Sequence, residues 1–208
     1  MKCQQIFETI DNLNEEYISV WTEFCNIESP TSYKEGVDKA CNYIVERAKK
    51  HGIPAEVVCR KDSADLEGAF EKITALIEEY QIDYMILAGY LSIIPASFTS
   101  RYAGRIVNIH PSLIPSFCGQ GYYGLNVHRA VLEYGAKVTG VTVHFVDEGA
   151  DTGAIIMQRA VEVEEGDTPE TLQARVLKTE HVILPEAVKL LTQGKITLRG
   201  RTVTIERE

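Results

Sequence analysis

The chain has 208 residues and a formal net charge of −9, with 45% hydrophobic and 25% charged residues. That is enough chain for one sizeable hydrophobic core, and the proportions are those of a globular rather than a disordered protein. The acidic balance argues against a nucleic-acid groove, and no stretch approaches the ~20 apolar residues of a membrane helix.

The predicted elements begin with a helical first quarter. Ile6, Ile10, Leu13, Tyr17, Val20, Trp21 and Phe24 recur at steps of three and four and make one apolar face. A loop around Ser29-Pro30 interrupts it. Val37, Ala40, Cys41, Ile44, Val45 and Ala48 mark a second amphipathic helix, stopped by Gly52 and Pro54. Residues 55–59 are then a candidate strand, 66–80 a helix, and 84–88 a buried strand ending on Gly89. Residues 105–109 form a strand that runs into His110 and Pro111. A helix over 126–134 precedes strands at 138–146 and 155–163, a long helix over 168–193, and a hairpin over 196–205. Strands alternating with helices imply an α/β fold with a mostly parallel sheet flanked by helices. In such sheets functional groups gather at the carboxyl ends of strands. Gly89, the segment Asn108-Ile109-His110 and the loop around Asp151 all fall there.

Asn108 and His110 are two residues apart, so an extended backbone points both to one face. An amide donor beside an imidazole suits an oxyanion at an acyl centre. A strand-end histidine bonded to backbone is the equal alternative. Asp151 lies in the turn Asp147-Glu148-Gly149-Ala150-Asp151-Thr152-Gly153. It reads either as a solvated acidic turn or as a carboxylate aimed at His110 to tune it and move protons; the spacing does not fit an EF-hand. His144 shares a strand face with Thr142 and either lines the site or is a hydrogen-bonded structural histidine. Cys118 has no visible base and reads as incidental. The five cysteines are scattered with no C-x-x-C pair, which argues against disulfides and a structural zinc and for a reducing, cytoplasmic setting. Glu180-His181 lacks the spacing of a helical zinc motif, so no metal site is expected. Gly121-Tyr122-Tyr123-Gly124 is either a mobile lid or a surface turn.

These segments carry a resemblance. Leu87-Ala88-Gly89-Tyr90, Tyr102-Ala103-Gly104-Arg105, Asn108-Ile109-His110-Pro111-Ser112-Leu113-Ile114-Pro115, Val138-Thr139-Gly140 through His144-Phe145-Val146, the 147–153 loop and Thr179-Glu180-His181 follow in an order and spacing that resembles the glycinamide ribonucleotide formyltransferases. The likeness covers about residues 52–208. It implies a folate-dependent formyltransferase of purine biosynthesis, with 10-formyltetrahydrofolate as cosubstrate. Asn108 and His110 would stabilise the tetrahedral intermediate, and Asp151 would tune His110. Leu91, Ile93 and the backbone of Gly149, Ala150 and Asp151 would hold the pterin, and Glu180 would contact the amine substrate. The implied partners are small molecules, without nucleic acid or membrane, on a monomer or homodimer.

The resemblance also marks departures. The family's first strand and its Gly-Ser-Gly-Ser-Asn type phosphate loop, an anion site at a helix N-terminus, have no counterpart in residues 1–51. Phe24 through Thr31 and Lys34 through Asp38 instead resemble the beginning of M20-type zinc amidohydrolases. Two parts are thus expected: a helical segment over 1–51 and a catalytic domain over 52–208 lacking the usual first βα unit. Ser92 stands where the family has Arg, Leu66 where a basic residue is common, and Leu177 where a polar residue is common. Two alternatives to the transferase remain: a 10-formyltetrahydrofolate hydrolase with water as acceptor, and a folate-binding fusion without turnover.

Overall fold

The computed structural model describes residues 34–58, 63, 65–87, 90 and 92–206. The first expected helix, and with it most of the 1–51 segment, lies outside the described residues, as do Gly89 and Leu91. The chain forms two compact units, 1–73 and 74–208.

In the first unit, helix α1 (Lys34–Lys50) matches the expected second helix. Ala40 is buried on it, whereas Ile44 is 53% exposed. Gly52, at φ +66°, ends the segment in a conformation that costs a side-chain-bearing residue more than glycine. The expected strand over 55–59 is not there: residues 55–58 have no ladder partner, and Cys59 lies outside the described residues. A short apolar run is ambiguous without a partner to pair with. Helix α2 (Leu66–Glu79) follows and passes into the second unit.

The second unit holds strand β1 (Met85–Leu87), helix α3 (Ala96–Arg101), strand β2 (Ile106–His110), helix α4 (Leu125–Tyr134), strands β3 (Val138–Phe145) and β4 (Ile155–Glu162), helix α5 (Pro169–Thr192), and the hairpin β5 (Ile196–Arg199) and β6 (Thr202–Ile205). Four strands make one sheet in the order β1-β2-β3-β4. The α/β class with flanking helices is as expected. The described sheet, however, is mixed rather than mostly parallel: β1 and β2 run parallel, while β2–β3 and β3–β4 are antiparallel. The short loop between β3 and β4 forces reversal, since a parallel return needs a crossover of a dozen residues or more. Strand β1 is also not buried as expected. It sits at the edge of the described sheet, and Ile86 is 37% exposed. Helix α3 leaves no periodic signal in the sequence because it is a turn and a half behind Pro95.

The core lies between one face of the sheet and α5. Val107, Val141, Val143, Leu172, Val176 and Ile183 are fully buried in it. On α5 the buried residues Leu172, Val176, Ile183, Ala187 and Leu191 keep to one stripe. Its start is fixed by Thr168, whose hydroxyl accepts the Thr171 N–H while the Thr171 hydroxyl accepts the Thr168 N–H. Arg175 reinforces the turn with two bonds to the Asp167 carboxylate at 2.7 and 2.8 Å. Among the described residues no helix is long and apolar enough to cross a membrane.

Candidate active site

The opposite face of the sheet carries polar side chains. Residues directly opposed on neighbouring strands share a face. Asn108 opposes His144, and His110 opposes Thr142, which in turn opposes Gln158. The period of two thus gathers Asn108, His110, Thr142 and His144 in one patch. Thr142, His144 and His110 are buried.

Asp151 reaches this patch from the loop between β3 and β4. Its backbone is left-handed, φ +57°, a region that Asp tolerates better than bulkier residues. One carboxylate oxygen accepts the Gly119 N–H at 2.9 Å and lies 3.5 Å from His110 Nδ1. The other lies 3.6 Å from His144 Nε2. Gly153 seats the loop, because a Cβ there would stand 1.8 Å from the Phe145 carbonyl oxygen. The Asp151 side chain is 16% exposed against 5% for His110, so the carboxylate is the open member and the imidazoles stand behind it.

The hydrogen bonds fix the tautomers. A carbonyl can only accept, so His110 Nε2–H donates to Phe117 O at 2.9 Å and Nδ1 carries the lone pair facing Asp151. By the same rule His144 Nδ1–H donates to Phe145 O at 2.8 Å, and Nε2 lies 3.4 Å from the Asn108 amide nitrogen and 3.6 Å from Asp151. The contact with His144 orients Asn108, whose second N–H has no protein partner among the described residues. Burial pushes the His110 imidazole below its ordinary value, against the upward pull of the Phe117 carbonyl and Asp151. For Asp151 burial raises the pKa, but the contact with His144 and the Gly119 N–H, with the two neighbouring imidazoles adding, outweigh it and hold the carboxyl below the usual range. A neutral base therefore stands beside an ionised carboxylate at neutral pH.

The sequence-derived residues divide here. Asn108, His110 and Asp151 come together. Gly149 and Ala150 are exposed on the Asp151 loop, and Gly149 lines a cleft of about 570 Å³ with Thr99, Phe145, Val146 and Leu198. Ile93 is 73% exposed, and no described contact joins it to the cluster. Glu180 lies half-buried on α5, its carboxyl pushed up to about 7 by burial; no described contact links it to the cluster either. Sequence reasoning missed Phe117 O and Gly119 N–H, since backbone groups leave no residue-type signal. It also missed Gln158, whose partner Thr142 was legible as facing the same side as His144. Among the described residues no group of three His, Cys, Asp or Glu side chains is arranged to hold a metal ion.

Comparison with known proteins matches residues 37–188 to the formyl transferase family. The chain belongs to that family. It is 42% identical over 155 residues to the chloroplastic phosphoribosylglycinamide formyltransferase of Arabidopsis thaliana, a match over 74% of this chain and 53% of that protein. The chain thus spans about half the length of the curated plant relatives it matches. Among solved structures it is similar to glycinamide ribonucleotide transformylase 1 from Symbiobacterium toebii, at 40% identity and a TM-score of 0.71, covering 78% of this chain and 74% of that one. A formyltetrahydrofolate deformylase from Pseudomonas syringae is also similar, at 27% identity and a TM-score of 0.70, covering 78% of this chain and 53% of the other. The resemblance of residues 1–51 to M20-type amidohydrolases is not borne out. The formyl transferase match begins at residue 37, so most of α1 falls within the family match.

Proposed function

We propose that this formyl transferase moves the formyl group of 10-formyltetrahydrofolate to the amine of glycinamide ribonucleotide, a step of purine biosynthesis, in the cytoplasm. The observation that carries the reading is the Asp151 carboxylate, open on one side and backed by two imidazoles, each with one ring nitrogen bonded to a backbone carbonyl. The amine attacks the formyl carbon and makes a tetrahedral intermediate. An amide N–H of Asn108 donates to its oxyanion. The amine proton passes to Asp151 and on to His110 Nδ1, whose lone pair already faces the carboxylate. The imidazolium formed stands beside both the carboxylate and the oxyanion. The proton then returns to the folate nitrogen as the C–N bond to the formyl carbon breaks. Catalytic roles go to Asn108, His110 and Asp151. Leu91, Ile93 and the backbone of Gly149, Ala150 and Asp151 would hold the pterin. Glu180 would meet the amine substrate, where a carboxyl titrating at about 7 ionises on gaining a cationic neighbour.

The likeness to a deformylase favours a second reading, in which water replaces the amine. Tetrahydrofolate release, measured with and without glycinamide ribonucleotide, separates the two. A transferase releases it only with the amine, together with formylated product. Equal release in both conditions identifies a hydrolase and overturns the first reading.

A further inference from the structure

Gln158 stands two strands from His110, in the row His110–Thr142–Gln158 that crosses β2, β3 and β4. Its amide nitrogen donates to Thr142 Oγ1 at 2.9 Å and to Ile114 O at 3.0 Å. The Thr142 hydroxyl donates to Ser112 O at 2.7 Å and accepts the Ile114 N–H at 3.1 Å. Every hydrogen and lone pair of that hydroxyl is thereby used, and both N–H groups of Gln158 are used. A largely buried polar network with these donors and the hydroxyl fully used favours one arrangement. What it arranges is the turn over 112–117. Ser112 Oγ donates to Ser116 O at 2.6 Å and lies 3.2 Å from Phe117 O, the carbonyl that receives the His110 Nε2–H. Gly140 completes the seat: a Cβ there would stand 2.7 Å from Leu113 Cδ2, so only a bare backbone lets the turn come down on β3.

We infer that Gln158 is a positioning residue for His110. Acting through Thr142 and the 112–117 turn, it holds the Phe117 carbonyl where it fixes the His110 tautomer and keeps Nδ1 toward Asp151. The kinetic part of this inference rests on the formyl-transfer reading, whereas the tautomer part does not.

The test is nitrogen-detected NMR of histidine-labelled full-length chain, with kinetics in parallel, on Gln158→Met, Thr142→Val and Thr142→Ser. Gln158→Met keeps the volume and removes both donors. In the parent chain His110 carries its proton on Nε2. In Gln158→Met and Thr142→Val the Nδ1–H tautomer gains population, and the His110 pKa falls further because the carbonyl that raised it has moved. Their kcat falls about tenfold, the scale of one hydrogen bond, while KM for the folate changes less than about twofold. Thr142→Ser keeps the hydroxyl and the parent tautomer. Arg159→Ala, one residue away on the opposite face of β4, where the side chain pairs with Glu186 at the exposed edge of α5, leaves both readouts as they were. If Gln158→Met does not fold, the smaller Gln158→Leu, which also lacks the donors and adds no charge, gives the same readout. A merely structural Gln158 would lower Tm while leaving the tautomer and kcat unchanged, and that result overturns the inference. A parent chain with no formyl transfer defeats the functional reading instead, and the tautomer measurement still decides the role of Gln158.

Discussion

At the scale of single residues the chemistry turns on where protons sit. His110 has one nitrogen committed to a carbonyl and the other turned toward a carboxylate. Burial keeps it neutral below its ordinary pKa of 6.5. The proposed mechanism uses the base form, which is lost only when pH falls through that lowered value. The acid limb of kcat/KM is therefore expected below pH 6.5, at the His110 pKa of the free enzyme. A pH profile with its acid limb at or above 6.5 would contradict this assignment. In Asp151→Asn the amide can neither take nor relay a proton, so kcat falls while KM for the folate changes little. The motif residues Asn108, His110 and Asp151 were legible because strand period and loop composition mark them. The carbonyl and N–H groups that orient them were not, because any residue type supplies those. Leu91, expected against the pterin, lies outside the described residues.

At the scale of elements the site depends on how closely loops approach strands. Gly140 is the clearest case, since a Cβ there would stand 2.1 Å from the Arg159 carbonyl oxygen of the neighbouring strand and would also strike Leu113. Gly140→Ala must push backbone rather than a flexible side-chain end. A loss of about 2–3 kcal/mol is expected from overpacking, read as a lower denaturant midpoint at unchanged slope. A cost below about 0.5 kcal/mol would mean that the turn is not seated there. Most elements were legible: the long helix over 168–193 is α5 with its caps, and the hairpin over 196–205 is β5–β6. The strand expected over 55–59 failed because apolar runs acquire strand character only from a partner. The described sheet keeps one parallel pair and adds two antiparallel ones, because alternation of strands and helices says nothing about which connections reverse.

At the scale of the whole molecule, buried titratable groups tie stability to pH with opposite signs. His128 is 1% exposed, and burial, with His110 adding, pushes its imidazole down from 6.5 to about 4. Between those values the unfolded chain binds more protons, so the His128 contribution rises with pH and is complete above 6.5. Over the full window it amounts to about 3 kcal/mol. Glu180 is raised from 4.5 to about 7 by burial. There the folded chain binds more protons, so its contribution is present below 4.5 and is lost as pH climbs to 7. Glu180 thus offsets part of what His128 and His110 add. Denaturant unfolding at pH 5 and pH 8 resolves the two. His128→Gln should reduce the gain from pH 5 to pH 8, and Glu180→Gln should enlarge it. Unchanged pH dependence in both variants would mean that neither group is buried as described.

The central claim is that this chain transfers a formyl group through His110. Its most direct test is the rate of formylation of glycinamide ribonucleotide by 10-formyltetrahydrofolate, with the intact chain and with His110→Ala. The expected result is turnover in the intact chain and a loss of about 10²–10⁴-fold in the variant. No turnover in the intact chain, or equal rates in the two, would contradict it.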